Sequence, residues 1–511
     1  MTESADIVFT GGEVHTLTDP DVVDEAVAVG DGRVVRVDSA YEVDFLTGAE
    51  TTVVDLEGRV VLPGFVDAHT HMELLGQTQV HADLADTESL EGALDRLRTD
   101  ADPDHEWIVG FGWDDSDWPD GDGAPTREDL DAVSTDRPVA AFRVDIHSVV
   151  LNSVGFERLR EEFPDEDVRT ADGTPTGQVV ESALDAVWEA IAPDRERTRT
   201  LLREAIDYAH ERGVTAVHDM VRHSHSPRVY RDVDADGDLD LRVRINYWSD
   251  HLDAVDEAGL RPNHGSEFVR VGGIKTFTDG SIGSQTAKVS EPYADAPDET
   301  GTWVVPPAEL ETLAERVSDA DFQLTAHAIG DEAIGATLDV LASLDEPAMR
   351  HRIEHLELIT DEQISRLAEV GAVASVQPNF HGLARDGGHY AKRLGDERRR
   401  RSNPLGQLRE EGVPLAFGSD GMPLDPLYGI EQAVTAPTPK QRLSVTDALR
   451  AYTLGAAYAG FDEDRMGTIE RGKLADFVVL EESPWDRPES IADIDVAMTV
   501  VDGKIVYDGR D

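Results

Sequence analysis

Eight short apolar runs, strung through the chain with helical patterns between several of them, constrain its folding more than any other feature. They read RVVLPGFVDAH, GVTAVHD, LRVRINYW, VRVGGIKTFTD, FQLTAHAIG, HRIEHLEL, AVASVQPNF and VPLAFGSD. Helical patterns at 197–212, 307–320 and 361–370 supply the alternation that a parallel sheet requires. Eight such strands with helical crossovers predict an α/β fold, a (β/α)8 TIM barrel over residues 61–464. The interval 77–195 is too long for one βα step, so it is expected to be an insertion after the first strand, with PVAAFRVD a strand and SALDAVWEAI a helix inside it. Residues 1–60 and 465–511 share a texture of short β-rich pieces turning at Asp31-Gly32, Glu57-Gly58 and Asp502-Gly503. A few strands at either end are marginal alone, which predicts that they pair into one small composite β-sandwich.

Charge decides what such a fold can bind. With 104 Asp plus Glu against 46 Lys plus Arg, the net charge of −58 excludes a basic nucleic-acid surface and repels anionic lipid. The 40% of apolar residues still provide a sizeable core. Six of the cations are Lys and the rest Arg, a bias that resembles the proteins of salt-accumulating halophiles. There is no Cys, which removes disulfides, thiolate chemistry and Cys-bound zinc. The N-terminus lacks a basic, apolar leader and no run of membrane-spanning length occurs, so the expectation is a soluble cytoplasmic protein without membrane or nucleic-acid partners. A homodimer is among the assemblies this leaves open.

The chemistry sits at strand ends. His69 and His71 are two apart at the end of the first run, a spacing that turns both imidazoles to one side. His223 and His225 have the same spacing in a polar loop and read as a surface pair. His327 ends QLTAH, His355 ends RIEH and Asp420 ends AFGSD. Taken singly, each is more often a satisfied polar residue than a ligand, but in a TIM barrel all C-terminal strand ends converge on one mouth. Lys275, in GGIKTFTDG, falls in a buried strand, where a free ammonium is costly unless paired or modified. Two readings remain for it: pairing with Asp279 or another carboxylate, or reaction with carbon dioxide to a carbamate able to bridge two divalent ions.

The segments LPGFVDAHTH, GWDDSDWP, GIKTFTDGSIGSQTA, TAHAIGD, RIEHLE, FGSDGMP and GTIERGKLADFVVLE, in this order, resemble the metal-dependent amidohydrolase superfamily, and most closely its YtcJ-like branch, which includes N-substituted formamide deformylases. That resemblance implies that His69, His71 and Asp420 bind one ion and His327 and His355 another, with carboxylated Lys275 bridging them. It implies two Zn ions, with Mn, Fe or Co as substitutes, and hydrolysis of an amide-like C–N bond of a small molecule by a metal-bound hydroxide, with Asp420 as proton shuttle. Trp113, Asp114, Arg143 and His147 in the insertion, with Asp279, Ser281, Gln377 and Asn379 after barrel strands, are the expected substrate contacts. The competing readings are a mononuclear deaminase-like enzyme, a lactone or ester hydrolase of the same superfamily, and a non-catalytic binding protein. None of these residues names the substrate.

Overall fold

The computed structural model describes residues 4–510 except 86, 101–104, 116, 117, 120–122, 145, 147, 181, 182, 386 and 387. The chain divides into two compact units, Met1–His71 with Ile206–Asp511, and Met72–Ala205.

The larger unit contains the barrel. Its strands are Phe65–Thr70, Val214–Val221, Arg242–Trp248, Val269–Phe277, Leu324–Ala328, Arg352–His355, Val373–Val376 and Leu415–Phe417, hydrogen-bonded in chain order in one eight-stranded sheet whose neighbours all run parallel. These are the eight expected runs, and the (β/α)8 expectation is met. Nearly every strand residue is buried, because helices such as Pro307–Asp319 and Asp361–Val370 cover the outer face while side chains fill the inside. The second of these helices starts on a capping box: the Thr360 hydroxyl accepts from Gln363 N–H and the Gln363 side chain accepts from Thr360 N–H. At the seam between the last and first strands, Asp420 N–H donates to the His69 carbonyl at 2.7 Å. The carboxylate of Asp67 accepts from both His69 N–H and Ser419 N–H. Approach is so close there that a Cβ on Gly418 would lie 2.4 Å from His69 N.

The terminal pieces form a second eight-stranded sheet. Phe477–Leu480 pairs antiparallel with Val60–Pro63, and through it Val496–Val501 and Lys504–Asp508 join Ile7–His15, Val23–Gly30 and Arg33–Asp38. Phe9 and Phe477, from opposite ends of the sequence, meet edge to face at 5.9 Å in its core. Each such buried ring contributes about 1.5–3 kcal/mol, so neither terminal fragment is complete without the other. Two details differ from the sequence reading. The run RVVLPGFVDAH is two strands, Val60–Pro63 in the terminal sheet and Phe65–Thr70 in the barrel. The chain changes sheets where Pro63 has no N–H to give and Gly64 N–H donates to Asp476 O. The Glu57-Gly58 bend does not close a hairpin. The strands it joins, Thr52–Asp55 and Val60–Pro63, both run parallel to Ile7–His15, whereas Asp31-Gly32 and Asp502-Gly503 do turn antiparallel pairs.

The smaller unit is a six-stranded sheet in the order Val168–Ala171, Thr174–Val180, Ser148–Leu151, Val139–Arg143, Ile108–Trp113, Ala82–Asp83. Apolar clusters built with the helices Leu90–Thr99 and Ala183–Ile191 contain Trp107 and Trp113. Among the described residues no helix is long and apolar enough to cross a membrane.

A net charge of −58 makes the folded chain repel itself at low salt. At molar salt the Debye length shrinks to about 3 Å and that repulsion is screened. The thermal midpoint is therefore expected to rise steeply from dilute buffer to molar KCl, and a midpoint independent of salt in a thermal scan contradicts this.

Candidate metal centre

The C-terminal strand ends bring the six predicted ligand-type residues together. His69 closes the first strand and His71 lies just past it. The His71 Nδ1–H donates to Met220 O at 3.1 Å, and its Nε2 lies 3.2 Å from Asp420 Oδ1. On His69 the Nδ1–H donates to Glu354 at 2.6 Å, and Nε2 faces Asp420 Oδ1 at 3.5 Å. One ligand-capable atom from each of His69, His71 and Asp420 lies within 4.8 Å of the others. The His355 ring stands 5.0 Å from His69 and 4.3 Å from His327. His327 turns Nε2 to the Gly280 carbonyl at 3.1 Å. Among the described residues, the Nδ1 atoms of both His327 and His355 are buried without a hydrogen-bond partner. Orphaned imidazole nitrogens are costly in a core, and they fit a group that takes up lone pairs. Backbone strain marks the same spot: His355 and Asp420 hold φ of +73° and +59°, a conformation concentrated at functional sites in non-glycine residues.

Lys275 points into this cluster from the fourth strand. Its Nζ is 3.3 Å from His69 Nε2 and 5.1 Å from the Phe277 ring, and among the described residues it forms no ion pair. Burial lowers its pKa to about 8, so a neutral amine is accessible near physiological pH. Burial also holds His69, His327 and His355 well below the ordinary imidazole range, the neutral form that ligation needs. For Asp420 burial acts upward, but His69, His71 and Lys275 outweigh it and hold the carboxyl at about 2.

The amidohydrolase family (Amidohydro_3) matches residues 52–507. The chain belongs to this family. Among its relatives are Protein LONG AFTER FAR-RED 3 of Arabidopsis thaliana, 32% identical over 98% of this chain and 92% of its own, and YtcJ of Bacillus subtilis strain 168, 30% identical over 98% and 99%. The N-substituted formamide deformylase of Arthrobacter pascens is 25% identical over 99% of both chains. In structure, the chain is similar to an uncharacterised metal-dependent hydrolase from Pyrococcus furiosus, with a TM-score of 0.80 and 29% identity over 94% of this chain and 99% of that one.

The other predicted residues of this amidohydrolase divide by what their polar atoms already do. Asp279 accepts from the backbone N–H groups of Lys288, Ile329 and Gly330, and burial raises its carboxyl to about 7. It anchors loops beside His327 rather than pairing with Lys275. Ser281 bonds to Ser284. Asn379 spends its amide N–H groups on Ser419 O and Met422 O, which fixes the loop carrying Asp420. Gln377 is buried beside His355, and neither of its amide atoms makes a hydrogen bond of ordinary geometry. In the smaller unit, Trp113 donates to Ala141 O within an apolar core, and Arg143 pairs with Asp114 at 3.2 Å. His147 lies outside the described residues.

Sequence reasoning gave no role to the groups beneath the ligands. Glu354, fully buried, holds His69 and is itself held by Arg352, whose Nε and Nη2 donate to it at 2.8 and 3.1 Å. Arg352 also reaches Ala68 O, Ser375 and His218. Burial would raise the Glu354 carboxyl, but Arg352 and Lys275 outweigh it and keep it ionised. A carboxylate on the far nitrogen fixes the tautomer and aim of a ligating histidine. Glu354→Gln is accordingly expected to weaken metal retention about 10–100-fold in a chelator competition assay, and unchanged retention would deny Glu354 this role.

Proposed function

We propose that this amidohydrolase hydrolyses an amide-like C–N bond of a small molecule, with two divalent ions at the barrel mouth. His69, His71 and Asp420 would hold one ion and His327 and His355 the other, with Lys275, as its carbamate, supplying a carboxylate to the pair. The observation that carries this reading is Lys275: a fully buried amine, 3.3 Å from a histidine nitrogen and without an ion pair among the described residues, is unfavourable as an ammonium. Its neutral form is the nucleophile that adds carbon dioxide, forming an N–C bond and releasing a proton, and the resulting carboxylate suits a site crowded with lone-pair donors. Zinc matches four imidazoles with oxygen donors; Mn, Fe and Co accept overlapping sets.

Ions bound there supply Lewis acidity and lower the pKa of water toward about 7. The chain supplies the rest. Glu354 and Met220 O fix the tautomers of His69 and His71. Asp420, ionised in the resting enzyme, accepts the proton of the attacking water and returns it to the departing amine. Gln377, buried next to His355, serves in this reading to hydrogen-bond a polar substrate group.

The test is a panel of N-acyl and N-formyl compounds offered to metal-reconstituted protein, with amine release as the readout. Turnover of an amide or formamide is expected. Turnover confined to lactones or esters, or to ring deamination, overturns the C–N hydrolase assignment.

A further inference from the structure

Inside the barrel, beneath the metal centre, the fully buried guanidinium of Arg352 ties four strands together. On its own strand it grips Glu354, the partner of His69, through Nε and Nη2. Nη2 also donates to Ala68 O of the first strand at 2.6 Å and to Ser375 Oγ of the seventh at 2.8 Å. Nη1 donates to His218 Nδ1 of the second strand at 2.9 Å. Among the described residues, Nη1 has no other hydrogen-bond acceptor.

The backbone places His218 for this contact. Val217 stands opposite Asp67 and Asp219 opposite Thr70, so the ladder slips by one residue and His218 alone faces Ala68 and His69. An arginine can only donate, so Nδ1 carries the lone pair and the proton is on Nε2. Burial, then Arg352 and Arg244, hold this imidazole well below its ordinary range, which favours that neutral form. The arginines of the barrel floor are engaged elsewhere, Arg242 with Asp476, and Arg244 and Arg270 with Asp462. Without the His218 acceptor, a charged donor would be left unmade in the core, a costlier loss than a neutral one. The guanidinium would then shift toward other acceptors and its hold on Glu354 would slacken.

We propose that His218 is a positioning residue of the metal centre: by accepting from Arg352 it fixes the guanidinium that fixes Glu354, and through Glu354 the aim of His69. This inference rests on the reading that His69 holds an ion. It assigns the effect to the Nδ1 lone pair of His218 and not to the volume of the ring.

The test is release of zinc from full-length, zinc-reconstituted protein to a competing chelator, well below the thermal midpoint of every variant. Asparagine puts its Oδ1 where histidine has Nδ1, and leucine has nearly the same shape without an acceptor. His218→Leu is expected to hold zinc about tenfold more weakly than the unaltered protein, and His218→Asn to stay within about twofold of it. Both lose the ring, so both should unfold at a lower temperature. Equal retention in the two variants makes His218 a filler and overturns the proposal. The route is tested by adding Glu354→Gln. With the Glu354 charge gone, His218→Leu should weaken zinc little further, whereas independent, additive losses overturn a path through Glu354. Should His218→Leu fail to fold, His218→Gln takes its place with the same expectation, because its amide oxygen lies near the position of Nε2 and not of Nδ1. Unaltered protein that takes up no metal overturns the two-ion reading and this inference together. Normal uptake with equal retention in both variants overturns this inference alone.

Discussion

Lys275→Ala is expected to lower turnover by roughly 10³-fold or more, about 4 kcal/mol of transition-state stabilisation, and to cut bound metal from two equivalents toward one or none. The side chain is fully buried beside His69, so the truncation also opens a small cavity among the histidines. That cavity makes the prediction specific. A short carboxylic acid such as acetate or propionate would fit where the proposed carbamate carboxylate stands, and partial return of activity on adding it is the expected signature of a lost carboxylate. Lys275→Met, which keeps the volume, should show the same loss with weaker rescue. If Lys275 is instead an unmodified structural amine, the unaltered protein will carry one metal per chain, its mass spectrum under native conditions will lack the 44 Da of carbon dioxide, and no added acid will restore the alanine variant. That set of results would replace the two-ion centre with a mononuclear one of the deaminase type.

How much of this was legible in the sequence depends on where each residue's information lies. All eight barrel strands could be read because strands buried on both faces are written as apolar runs, and their closing residues stand out as polar exceptions. His69, His71, Lys275, His327, His355 and Asp420 are such exceptions, and the fold brings them to one end. Arg352 and Glu354 were on the page in the same RIEH segment, but a charged residue in a short strand reads equally well as pointing outward. Only the closed barrel shows that both face inward and hold His69. His218 and the arginines of the barrel floor escaped for the same reason. In the insertion, strands of two to seven residues are too short for periodicity to register, and only Val139–Arg143 was found from its sequence. The residues expected to touch substrate show a different failure. Asp279 and Asn379 lie after barrel strands as anticipated, yet their hydrogen-bonding capacity goes largely to loop backbone, a use that composition and spacing do not reveal.

Asp420→Asn is expected to leave the fold and much of the metal in place while turnover falls about 10²–10⁴-fold, the usual contribution of a positioned general base. The substitution suits the site for a physical reason. Asp420 sits at φ +59°, a left-handed conformation that asparagine tolerates better than most residues. Its backbone N–H bond to His69 O does not depend on the side chain, so the seam between the first and last strands survives. What changes is the proton chemistry. The aspartate carboxylate can take up a proton and give it back; an amide cannot. The loss should therefore appear in kcat, with substrate binding nearly preserved and bound metal near the unaltered value. A fall confined to KM would mean that Asp420 only positions substrate. Activity lost strictly in proportion to metal would make it a ligand and nothing more. Near-normal kcat with full metal would remove it from proton transfer altogether, leaving Glu357, another buried carboxyl raised by burial to about 7, as the group to examine in its place.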